Sequence, residues 1–441
     1  MAGRLTAMLV ATVVVAGGFS FARASPERSL RLDLSSARGD NPPLLAISFN
    51  DVSAGLVRLD PETLRLLPGQ PLDLRASSFG WSFSSDRSHL VLGDNYGHVR
   101  FVDVTQMRTL GEIRTKANAP LALSAWLGDR VLGVWHTPRG VAVRVIDASL
   151  RRVLRVVPLD GSLQAADRTP EELVLLLGPR RGIGGSRLVV MDSAGRTRRV
   201  SLPRIRSGRV DPSHTSVSVF RHADAGLAVD ATRRLAFAVA AGAPVAEVDL
   251  STLRASYHEV SEPISMLGRV GNWLEPQAEA KGAPDGPDRN ALWVGDHTLV
   301  VFGSDDHGWV DSARRPQLMV TPAGARLIDT RTWSSTALDR AATAVTAADG
   351  ALLVTASLWN SGTQKATGIG LVGYGPDGAR RFHLYGDGSV YVQVAGDRAF
   401  ASVTGPNPSY AVVDVATGRV LDERDGSQPL LLAGEASTWI P

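Results

Sequence analysis

Short runs of alternating apolar and polar residues recur along this chain, and most of them end in Asp followed by a turn. Leu56-Val57-Arg58-Leu59-Asp60, Val99-Arg100-Phe101-Val102-Asp103, Val143-Arg144-Val145-Ile146-Asp147 and Leu188-Val189-Val190-Met191-Asp192 lie in the first half. Val245-Ala246-Glu247-Val248-Asp249, Ala325-Arg326-Leu327-Ile328-Asp329 and Tyr410-Ala411-Val412-Val413-Asp414 follow in the second. Period-two alternation closed by a turn residue predicts a strand, and an Asp there caps the turn by accepting backbone N–H groups two or three residues on. Asp60, Asp103, Asp147, Asp192, Asp249, Asp329 and Asp414 are therefore expected to be structural.

A second element lies upstream of these runs, an apolar strand that breaks at a Gly/Asp turn and re-enters a second strand. Ser124 to Trp135 and Ala291 to Phe302 match in pattern and length, with turns at Gly128-Asp129 and Gly295-Asp296. Together the two elements describe a four-stranded meander of about 40 to 50 residues, the size of a propeller blade.

Phe83 to Asp103 resembles one blade of a WD40-type propeller, with Val102-Asp103 where a regular blade ends in Trp-Asp. Asp230 to Leu250 and Tyr410 to Leu421 are similar to the YVTN repeats of secreted bacterial propellers. The resemblance implies an all-β propeller, a platform most often used for binding, and brings no catalytic residue with it. Counting both turn types predicts eight blades, with seven as the alternative. Blade 1 is expected to be split, residues 44 to 68 supplying three strands and Leu430 to Ala433 the innermost. That arrangement closes the ring and removes exposed sheet edges.

The start of the chain has a different character. Arg4 precedes an uncharged run from Leu5 to Phe21, and Ala22-Arg23-Ala24 has the small-x-small form of a signal-peptidase site. The expected division is a signal peptide at 1–24, an extension at 25–43 and a single propeller domain at 44–441, secreted or held at the cell surface. An uncleaved anchor is the alternative for the first segment.

Charge and composition narrow the chemistry. The 47 basic and 44 acidic residues nearly balance, which argues against nucleic-acid binding by counterion release. The absence of cysteine excludes disulfides, thiolate metal sites and cysteine nucleophiles. His258 and Glu262 are too far apart on a strand, about 13 Å, to share one zinc ion. Gly182-Ile183-Gly184-Gly185 reads as a hairpin loop, because no helix follows it to cradle a phosphate. Trp81, Trp126, Trp135 and Trp333 are expected at strand positions, packing blade on blade.

One sector stands apart because its connections are long. The strand 4 to 1 connections Pro203–Ala225 and Ser261–Asn290, and the strand 2 to 3 connections Ser304–Gly324 and Ser357–Gly368, leave one face of blades 5 to 7. They carry Trp273, Glu275, Lys281, Asp285, Asp288, Asp305, Asp306, His307, Trp309, Trp359 and Asn360. Aromatic surface beside carboxylates, an amide and an imidazole suits a ligand or partner site, and Asp305, Asp306 and Glu275 are the set a divalent cation would use. The expected function is an exported, monomeric, non-enzymatic platform for a protein, glycan or peptide, with no cofactor, no nucleic acid and no membrane insertion after cleavage. The alternative is a propeller enzyme of hydrolase, lyase or quinoprotein type, or an accessory subunit of an extracytoplasmic enzyme.

Overall fold

The computed structural model describes residues 44–49, 54–74, 78–94, 96–115, 119, 121–210, 220–260, 284–310, 316–361, 365–404, 408–425 and 430–432. The expected signal segment and extension lie outside the described residues. Among these residues the regular structure is entirely β-strand, and no helix is long and apolar enough to cross a membrane.

One repeat shows why the sequence folds this way. Leu121–Leu127, Arg130–Thr137, Gly140–Asp147 and Arg152–Asp160 pair antiparallel in that order. Gly128 turns the first corner at φ 62°, a backbone conformation that costs glycine nothing. At the last corner the Asp147 carboxylate accepts N–H bonds from Ser149 at 3.1 Å and Leu150 at 2.8 Å and pairs with Arg130. The other six turn aspartates do the same: Asp60 accepts from Glu62 and Thr63, Asp103 from Gln106, and Asp192 from Ala194. Asp249 accepts from Ser251 and Thr252, Asp329 from Arg331, and Asp414 from Thr417.

The fold is an all-β propeller. Its strands divide differently from the expected set of equal blades: five separate four-stranded blades and one fourteen-stranded sheet. The separate blades run from Ser78–Phe83 to Arg108–Arg114, Leu121–Leu127 to Arg152–Asp160, Gly226–Asp230 to Ala255–His258, and Ser389–Ala395 to Val420–Asp425. The fifth joins Leu44–Phe49, Ala54–Leu59 and Leu72–Asp73 to Leu430–Leu431 from the far end of the chain, with Ala46 opposite Leu431. Its outer strand lies at Leu72–Asp73, beyond the expected limit of residue 68, because Leu66 makes only a single bridge to Leu59. The fourteen-stranded sheet takes in the remaining strands, from Ser162–Arg168 to Arg380–Leu384.

Apolar side chains fill the space between consecutive units. Leu123, Val134 and Val143 pack on Leu163, Leu175 and Val189, while Phe400 and Val412 pack on Leu44, Ala46 and Leu431. Polar side chains tie the inner strands across the same gaps. Trp126 Nε1 donates to Ser82 O at 3.1 Å, Arg168 Nη1 to Trp126 O at 2.7 Å, and Val229 N to Asp167 Oδ2 at 2.7 Å. Outside, Arg100, Arg144 and Arg187 each donate from the third strand of one unit to a carbonyl ending the outer strand before it: Asp73, Thr115 and Asp160. Trp81, Trp126 and Trp135 are buried as expected of packing residues. Trp333 instead sits in a turn at φ 57°, its ring stacked 3.8 Å from that of His258.

Candidate functional site

The described parts of the long connections are mostly strand. The blade strands on that side run on past their blades and pair laterally, because strand ends that outrun their own sheet leave backbone groups that must be satisfied elsewhere. Gly182–Gly185, which the sequence places in a loop, pairs with residues 206–209. Residues 208–210 then pair with Phe220–Ala223, which runs parallel to Pro284 and Asp285. Gly286–Arg289 pairs with 303–306, and 304–310 with Pro316–Pro322. Met319 reaches Asn360, and 357–360 pairs with 365–368. All these segments lie at the ends of strands that leave one face of the propeller, so together they form a second sheet over that face.

Residues directly opposite one another in a sheet share a face, and neighbours along a strand alternate. The register therefore sorts the expected site residues. Val210, Arg221, Asp285, Asp305, His307, Trp309, Met319 and Asn360 fall on one face; His222, Asp288, Asp306 and Trp359 fall on the other. Burial follows the same division. Val210 and Met319 are exposed on the first face, whereas His222, Asp288 and Asp306 are buried on the second. Trp273, Glu275 and Lys281 lie outside the described residues.

The adjacent acids thus fall on opposite faces, and Glu275, the third member of the conceivable cation set, lies outside the described residues. Asp305 Oδ1 accepts from Arg289 Nη1 at 2.8 Å, and that nitrogen also reaches Asp288 O and Ser304 O. Asp306 turns the other way, its Oδ2 3.4 Å from His222 Nε2. On the opposite side of the same ring, His222 Nδ1 lies 3.1 Å from Asp224 Oδ2. Burial opposes charge on this imidazole, but bonds to Asp224 and Asp306 outweigh it and raise its pKa to about 9. His222 is therefore a buried imidazolium clamped between two carboxylates, and it holds the connection at Phe220–Ala223 to the hairpin at 284–310. Sequence alone does not single it out, because Arg221-His222-Ala223-Asp224 lies within the long connection Pro203–Ala225 and its His-x-Asp alternation is the one local signal. His307 keeps one contact on the exposed face, Nε2 at 3.3 Å from Thr321 Oγ1.

Chemically, the exposed face offers apolar and aromatic area from Val210, Trp309 and Met319 among hydrogen-bonding groups at Arg221, Asp305, His307 and Asn360. Among the described residues no three His, Asp or Glu side chains are grouped to hold a metal ion.

No family model matches the chain, and no curated protein matches its sequence. Among solved structures it is similar to the dihydro-heme d1 dehydrogenase NirN in complex with DHE, at TM-score 0.54 and 14% identity, over 91% of this chain and 76% of that one. BamB from Moraxella catarrhalis matches at TM-score 0.45 and 11% identity, over 85% and 95%. The Cps50 (Swd1) β-propeller domain of Myceliophteria thermophila matches at TM-score 0.39 and 14% identity, over 80% and 88%. At such identities the likeness to NirN speaks for the fold: a β-propeller.

Proposed function

We propose that this protein is an exported, non-enzymatic platform that captures a protein, glycan or peptide on the exposed face of its second sheet. In this reading the repeats number eight, three of them joined within the fourteen-stranded sheet, and the pairing of Leu44–Phe49 with Leu430–Leu431 closes the ring. The observation that supports the proposal is the continuity of the second sheet, whose register puts Trp309, Met319 and Val210 on one face with Asp305, His307 and Asn360. Aromatic and methionine side chains among polar groups are what recognition surfaces concentrate.

The test is capture from the native cell envelope by the immobilised full-length chain, followed by the same experiment with Trp309→Ala and Met319→Ala together. Loss of the captured partner with melting unchanged within a few degrees supports the reading. Undiminished capture by the double variant refutes this face as the site.

A further inference from the structure

The near balance of charge over the whole chain conceals a local excess. Between Pro179 and Val210 there are nine arginines and one acid, Asp192. Several of the arginines are engaged: Arg187 on Asp160 O, Arg196 on Asp192, Arg198 on Glu172 and Arg204 on Glu259. Arg180, Arg181 and Arg206 are exposed and make no ion pair among the described residues. They surround one strand segment: Arg180 and Arg181 lead directly into Gly182–Gly185, and Arg206 stands opposite Gly185.

That segment is also the end of the second sheet. It pairs with residues 206–209 on one side, and on its other side no strand lies among the described residues, since Glu172–Gly178 pairs with the same strand only from Arg187 onward. Natural edges are closed off by proline, inward charge or a bulge. The outer strand Arg152–Asp160 has such devices, carrying Pro158 and facing a bulge at Val145/Ile146. Gly182–Gly185 ends at a bulge, Gly185/Ser186, and Pro179 of the incoming turn lies 3.5 Å from where a Cβ of Gly184 would be. The segment itself has no proline and no charge, and three of its four residues have no side chain to obstruct an incoming backbone.

We propose that this edge docks an acidic extended segment of a partner protein, which adds to the sheet as a further strand beside Gly182–Gly185 while its carboxylates pair with Arg180, Arg181 and Arg206. Guanidinium forks match carboxylates in two-point geometry, and strand addition supplies main-chain bonds that are indifferent to sequence. Other polyanions fit less well. The stretch from Pro179 to Val210 holds no Phe, Trp or Tyr on which bases or sugar rings could stack. Val210 is its only exposed large apolar side chain, leaving little to enter a bilayer. The edge and the exposed face belong to one sheet but rest on different side chains, Arg180, Arg181 and Arg206 against Trp309 and Met319, so the failure of either test leaves the other standing.

The experiment is fluorescence anisotropy of a labelled, end-capped peptide alternating Glu and Thr, titrated with the full chain at about 50 mM salt. The acidic peptide binds and its Lys/Thr counterpart does not. Affinity falls about tenfold or more in the variant R180E/R181E/R206E and for a backbone N-methylated acidic peptide, while R180K/R181K/R206K retains most of it. Melting by circular dichroism stays within a few degrees for both variants. Failure of the acidic peptide to bind overturns the proposal, as does equal binding of the N-methylated form, which reduces the site to charge alone. Arginine-dependent capture of phosphatidylglycerol vesicles without peptide binding also overturns it, assigning the patch to a membrane surface.

Discussion

The blade built from Leu121–Leu127 to Arg152–Asp160 and the extended hairpins from Pro284 to Pro322 are made of the same meander, yet one stands alone and the other joins its neighbours. In the first, Arg130–Thr137 and Gly140–Asp147 are joined by two residues, so the strands stop where the blade stops. In the second, pairing continues from Ser304 opposite Pro322 to Val310 opposite Pro316, past the blade that Thr298 to Val301 completes with residues 326–329. Where a turn ends the strand, sheets meet only through side chains. Where the strand overruns, they share backbone hydrogen bonds. The blades thus make the body, and the overruns make a surface.

The comparison can be broken most severely at the chain's end. Truncation after residue 428 removes Leu430–Leu431, the inner partner of Leu44–Phe49, together with the contacts of Leu431 on Phe400 and Val412. The shortened chain is expected to lose cooperative melting or solubility; a full-length-like transition would deny the terminal pairing its role.

A more selective break separates surface from body. Gly286 has φ 145°, and a Cβ there would collide with the His222 carbonyl oxygen. Gly286→Ala is expected to cost more than about 2 kcal/mol locally. Hydrogen exchange should rise at residues 220–223 and 284–289 while Arg130–Asp147 keeps its protection. Equal loss in both regions would mean that they unfold as one.

The clamp at His222 is expected to matter slightly less and to depend on pH. Its pKa in the fold is about 9, above the ordinary value of 6.5, so its contribution is complete below about pH 6.5 and fades as pH rises through 9. His222→Gln should lower stability by about 1–3 kcal/mol at neutral pH and flatten the alkaline loss. An unchanged alkaline limb in the variant would assign that loss to another group.

The smallest expected effect lies at an ordinary blade turn. Hydrogen bonds from Leu150 N and Ser149, together with Arg130, hold the Asp147 carboxyl far below the usual carboxylate range. Its contribution is therefore present above about pH 4 and is lost as pH falls. Asp147→Ala should lower Tm by a few degrees, remove part of the acid sensitivity and leave partner capture intact.

These regions also differ in how readable they were. The Asp turns are local: carboxylate and amide are two or three residues apart, so Asp103, Asp147 and Asp414 announced themselves by spacing alone. The pairing of Leu430 with Ile47 was visible as well, because an incomplete repeat at each end of the chain asks for the other half. The second sheet was not. Its partners come from different repeats, and Gly303 to Val310 alternates a polar exposed face with a buried His-Asp cluster, which erases the apolar period that marks a strand. The arginine excess was hidden for another reason, since a whole-chain charge sum averages it away.

The pairing of Leu44–Phe49 with Leu430–Leu431 has a temporal consequence. Leu44–Phe49 must wait for Leu430–Leu431, more than 380 residues later, before its inner edge is covered, a delay of tens of seconds at about 5–20 residues per second. Until then Leu44 and Ala46 lack the cover of Phe400, Val412 and Leu431, and the backbone edge of their strand is unpaired. A chain stalled late in synthesis therefore holds its interior blades while this one strand still presents an open edge, the kind of edge that pairs with other chains.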